Sequence, residues 1–144
     1  MKRWLATAGL LIGLCGYWTP AAAIDALTTG DAIAIHQAVR TQMDALSNDD
    51  ADGAFRLTTQ EKRHLIGSPD NFLRMIKEEY NPLYRHRGVI FSSPEVVDGD
   101  AVQLVRVTDG AGKVWIAVFW MLQEDDGNWK IDGCHLLGTN TLSI

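Results

Sequence analysis

The spacing of apolar residues changes once along the chain. Between residues 31 and 80 they recur at helical intervals, and from residue 88 they alternate or run together as strands do. Ile35, Val39, Met43 and Leu46 form one stripe of a helix predicted over Ala32–Ser47, with Asp31 as its N-cap. Gln42 lies at the edge of that stripe, where its amide is expected to satisfy a buried backbone group. Ala54-Phe55-Arg56-Leu57 opens a second, short helix, which Thr58 and Glu61 restart after a bend as a capping box. Ser68-Pro69 starts a third helix, with Ser68 as N-cap and Pro69 at the first helical position. Phe72, Leu73, Ile76 and Tyr80 give it a buried face, and Asn81-Pro82 ends it.

Four strands are predicted after it: Gly88–Ser92, Ala101–Thr108, Val114–Leu122 and Trp129–Leu137. Turns fall at Asp98-Gly99, at Asp109–Gly112 and at Asp126-Gly127. Helices followed by an antiparallel meander make an α+β domain, with three helices on one face of a curved four-stranded sheet. The third strand is apolar on both faces. Val114, Ile116, Val118, Trp120 and Leu122 point one way, while Trp115, Ala117, Phe119 and Met121 point the other. Only one set can meet the helices. The other would leave a large apolar patch, so a homodimer through the sheet, around a two-fold axis, is expected to cover it.

The start of the chain follows neither pattern. Lys2 and Arg3, an apolar run over Trp4–Leu14 and the small residues Ala21-Ala22-Ala23 have the layout of a secretory signal peptide over residues 1–23. Cleavage is predicted after Ala23, leaving a mobile leader over 24–30 and one domain over 31–144. The apolar run is short for an uncleaved span. Leu14 stands where a lipobox needs a small residue before Cys15, which argues against lipidation. The expected location is therefore periplasmic or secreted, with no membrane contact after cleavage.

Composition narrows the partners. The chain is 47% apolar and 22% charged, a globular balance. All 18 acidic residues follow position 23, and 11 of the 13 basic ones remain after cleavage, so the net charge falls from −5 to −7. That argues against nucleic acid and anionic membrane surfaces as partners. Cys134 is the one cysteine left after cleavage, so no intrachain disulfide can form.

Candidate chemistry is sparse. Asn48–Gly53 resembles the opening of a calcium loop, but the bidentate glutamate due at position 59 is Thr59, and the acids read better as helix-capping signals. His36, His64, His86 and His135 lack the close spacing of a metal pair, so no metal or cofactor is implied. Cys134 and His135 adjoin on a strand and so point to opposite faces. The thiol is expected to be reduced and shielded. Tyr80, Tyr84, Arg85, His86 and Arg87 form the densest polar and aromatic group, where the third helix hands over to the sheet.

This order of elements is similar to the NTF2-like, cystatin-like cone, and Gly127-x-Trp129-Lys130-Ile131 resembles the last-strand pattern of that superfamily. A closer resemblance rests on several segments in order. They are Asp44-Ala45-Leu46 to Ala54-Phe55, Phe72-Leu73-x-Met75-Ile76, Tyr80-x-Pro82-x-Tyr84-Arg85, Val102-Gln103-x-Val105-x-Val107, and Trp129-Lys130-Ile131-Asp132-Gly133-Cys134-x-Leu136. Together they resemble the bacterial family called domain of unknown function 4864. The resemblance implies an exported NTF2-like domain and carries over no catalytic residue.

A site on such a fold is expected between the helices and the concave sheet. Phe72 and Ile76 would supply its apolar wall, Tyr80, Tyr84 and Arg85 its mouth, and Asp132 a polar group on the last strand. Arg85 would anchor a small amphipathic acid. Two functional readings stay open. One is a non-catalytic module binding a small molecule or a protein. The alternative is a small isomerase- or hydrolase-type enzyme using Asp132 or the Tyr80, Tyr84 and Arg85 group.

Overall fold

A computed structural model describes residues 26–139; the predicted signal segment and its cleavage point lie outside them. Among the described residues, five helical segments precede five strands: α1 (Thr29–Ser47), α2 (Ala51–Phe55), α3 (Gln60–Ile66), α4 (Pro69–Glu79), α5 (Asn81–Tyr84), β1 (Gly88–Phe91), β2 (Glu95–Val97), β3 (Asp100–Thr108), β4 (Val114–Gln123) and β5 (Trp129–Gly138). The α+β class stands as expected, but the counts of three helices and four strands do not. The sheet is antiparallel in the order β1-β3-β4-β5, and β2 pairs with β3 on the same edge as β1.

The extra elements have local causes. Asp98 and Gly99 both take positive φ, the geometry of a tight two-residue hairpin, so the expected turn at Asp98-Gly99 also creates β2 before it. Between β1 and β2 the edge is broken, and the buried Gln103 amide fills the gap by donating to the Ser92 and Leu104 carbonyls at 2.6 and 2.9 Å. Tyr80 caps the end of α4, and Asn81-Pro82 then begins the single turn of α5 instead of a loop.

Helix α1 begins earlier than expected. Thr28, not Asp31, is the N-cap; its hydroxyl accepts from the Asp31 amide, and the Asp31 carboxylate accepts from the Thr28 amide. Asp31 also accepts from the Trp129 indole at 3.2 Å, tying the start of α1 to the start of β5. These hydrogen bonds, the Thr28 amide first, lower the Asp31 pKa. The restart after α2 is capped by Thr59 rather than Thr58. Thr58 instead bridges Ile131, and the Ile131 amide donates to the Leu57 carbonyl at 2.8 Å, so this segment runs along the free edge of β5.

The core lies between the helices and one sheet face. The expected stripe Ile35, Val39, Met43 and Leu46 is fully buried, as are Val105, Val107, Ala117 and Phe119 from the strands. The inner set of β4 is therefore the one containing Phe119. Gln42 donates to the Ala54 carbonyl at 3.1 Å, the backbone role expected of it.

Candidate functional site

Helix α4 carries the first wall of a cavity. Ser68 accepts from the Asn71 amide and Pro69 fixes the first turn, which sets the helix phase. Phe72, Met75 and Ile76, at i, i+3 and i+4, then share one face, and Tyr80 follows at its C-cap. Gln42 of α1, Leu83 of α5 and Ile66 of α3 close the sides. The cavity measures ≈270 Å³.

The opposite wall is an irregular piece of β5. Trp120 pairs with Gly133 and Met121 with Ile131, so Asp132 is an extra residue in the ladder, a β-bulge. A regular strand would turn Ile131 and Cys134 to opposite faces, since they are three residues apart. The bulge brings both to the inner side and places Asp132 beside them at the cavity edge. The expected separation of Cys134 and His135 holds: Cys134 packs on the core and His135 is exposed.

Polar groups gather at that edge. The Thr59 hydroxyl donates to Asp132 Oδ1 at 2.9 Å, and Lys62 Nζ lies 3.4 Å from the same oxygen. The Lys62 and Asp132 side chains remain 38% and 33% exposed, so the pair is bathed by solvent and weak. Lys62 and Ile66 sit four apart on α3, which orients the cation and an apolar group to the same cavity. Helix α3 is held there by the Thr59 amide on the Ile131 carbonyl at 3.0 Å and the Gln60 amide on Glu124 at 2.8 Å.

Deeper in, burial pushes the Cys134 thiol up to about 12. Burial also raises the Tyr80 phenol, with smaller contributions from Cys134 and Glu79. Both groups stay neutral at physiological pH.

The structure thus brings Phe72, Ile76, Tyr80 and Asp132 to one cavity. Tyr84 and Arg85 are not in its lining. The Tyr84 hydroxyl donates to Asp49, and the Arg85 guanidinium and the Lys77 ammonium stack on its ring at 4.4 and 5.2 Å from the centroid. Lys62, Met75 and Cys134 are lining residues that pattern reasoning did not select as site residues. The Asp132-Gly133 step was the one available signal, because glycine inside a strand often marks a bulge. Among the described residues, no cluster of three or more His, Cys, Asp or Glu side chains is arranged to hold a metal.

An apolar cavity between the helices and the inner face of an antiparallel sheet, open on one side with an ion pair at its edge, defines an α+β domain with a pocket between its two layers. Within that class the chain belongs to the family described as Domain of unknown function (DUF4864), whose profile matches residues 28–144. No curated protein matches it.

Proposed function

We propose that the protein is a non-catalytic binding module that holds a small amphipathic acid in the cavity between α4 and β5. The observation that carries this reading is an apolar cavity with Lys62 as the one basic side chain among the described residues lining it. Its ≈270 Å³ lies just under the ~300–1,000 Å³ typical of small-molecule sites. Scaled from a cavity of ~150 Å³ that holds benzene, it accepts roughly ten non-hydrogen atoms. Lys62 takes the anchoring role first expected of Arg85, which is engaged on Tyr84. An exposed ion pair is worth roughly 0–1 kcal/mol, so a ligand carboxylate competes with Asp132 for Lys62 at little cost.

The neutral Cys134 thiol favours binding over nucleophilic catalysis. The alternative is an isomerase or hydrolase using Asp132 as base. In that reading Asp132, whose Oδ1 accepts from Thr59 and Lys62, stands at the cavity edge.

A thermal-shift panel of small hydrophobic carboxylates, with amines and alcohols of matched size, tests the reading. A carboxylate at ~100 times its dissociation constant should add about 2.7 kcal/mol of stability. Lys62→Met should lose part of that gain, and Arg85→Ala should keep it. Equal stabilisation by matched amines, or none by any carboxylate, would contradict it.

The proposal also places the protein outside the cytoplasm, on an NTF2-like, cystatin-like architecture. The basic start, apolar run and Ala21-Ala22-Ala23 support export, and helices packed on one face of a single antiparallel sheet support the architecture. Intact mass of the protein from the extracytoplasmic fraction should correspond to a chain beginning at Ile24. A mass that retains Met1 would contradict export.

A further inference from the structure

The helices that contribute to the core pack against the inner sheet face, and the outer face keeps several large apolar side chains exposed, while Val102 on it is buried among its neighbours. Of the seven exposed large apolar side chains among the described residues, five lie on that outer face: Ile90, Val97, Trp120, Leu122 and Leu137. The strand registers arrange it in rows. Ile90, Arg106, Ile116 and Leu137 form one row, and Leu104, Val118 and His135 the next. Glu95, Val102, Trp120 and Gly133 follow, and Val97 with Asp100 and Leu122 with Lys130 close the end. The strands together present roughly 600 Å² in plan at ~4.8 Å spacing and ~3.3 Å rise. That approaches the ~800 Å² per partner of a stable interface.

Arg106 is the feature that selects the occupant. It stands exposed within an otherwise apolar row, and covering it requires an acid opposite. Two identical sheets can stack face to face around a two-fold axis parallel or perpendicular to their strands. The parallel axis, set between β3 and β4, lays Arg106 over Ile116 of the second copy and Asp100 over its Leu122. The perpendicular axis, centred between the Leu104 and Trp120 rows, lays β3 over β3 in reversed direction. Arg106 then meets Asp100 of the second copy, and Asp100 meets its Arg106. The same operation seats Trp120 on Val118 and Leu122 on Ile116, apolar on apolar.

We propose that the outer face docks a second copy of this chain with β3 strands antiparallel, closed by two reciprocal Arg106–Asp100 pairs. Within one chain these residues are six positions apart on a strand, about 20 Å, so they cannot pair with each other.

Sedimentation velocity of the purified protein at micromolar concentration tests this. The wild type should sediment as a dimer. Trp120→Glu should sediment as a monomer with an unchanged circular dichroism spectrum, and Leu65→Glu, exposed on α3, should remain dimeric. Asp100→Arg and Arg106→Glu should each weaken the dimer on the order of a hundredfold, and the double reversal should restore it. A monomeric wild type, or a dimer indifferent to Trp120→Glu, would overturn the docking surface. Failure of the double reversal to restore the dimer would overturn the antiparallel arrangement.

Discussion

Phe119→Ala should destabilise the protein by about 3–5 kcal/mol, the range for removing a buried aromatic ring and leaving a cavity. Phe119 is fully buried in the middle of β4, between Gln103 on β3 and Cys134 on β5. Backbone pairing on both sides fixes its position, so the surroundings can collapse only partly. Trp120, the next residue, faces outward and is 38% exposed. Trp120→Ala should therefore cost less than half as much, measured where sedimentation shows the protein to be monomeric. Chemical denaturation of the two variants checks this, and equal losses would contradict the assignment of the inner face.

The stability of the wild type should fall relative to Cys134→Ala as pH rises above 9. In the folded protein the thiol is raised from 9.0 to about 12. Between those values the folded state keeps a proton that the unfolded chain releases. Stability from this group is therefore fully present below pH 9 and is lost as pH rises towards 12, by up to about 1.4 kcal/mol per unit. Cys134→Ala lacks this titration. The difference in unfolding free energy between the two proteins should shrink by about 2–3 kcal/mol from pH 8 to pH 11. The raised Tyr80 phenol acts in the same direction but is common to both proteins. A difference that stays constant with pH would mean that the thiol reaches water in the native state.

Much of the fold was legible because period and punctuation agree. The α1 stripe, the Ser68-Pro69 start and the turns at Asp98-Gly99 and Asp126-Gly127 are local signals, and each is where the structure has it. The start of α1 was misread because Thr28 and Asp31 are both good caps, and they act together in one box. The inner face of β4 could not be chosen from sequence, since Ile116, Val118 and Trp120 leave the outer face as apolar as the inner one.

The site was only half legible for a different reason. Phe72, Ile76 and Tyr80 follow from helical spacing, and the structure places them together. The bulge at Asp132 depends on pairing between β4 and β5, which no single-strand pattern encodes. Arg85 was expected at the mouth because it follows α4 closely in sequence. The turn of α5 carries it to Tyr84 instead, while Lys62 arrives from α3 through contacts more than sixty residues away along the chain.

The central claim is that the cavity between α4 and β5 takes a ligand. Calorimetric titration of the most stabilising carboxylate into wild type and into Met75→Trp tests it most directly, because the larger side chain fills the space from the α4 wall. One saturable site per chain is expected in the wild type, and no binding in Met75→Trp, whose circular dichroism spectrum should match. Binding of equal strength in both proteins, or in neither, would contradict a ligand cavity at this position.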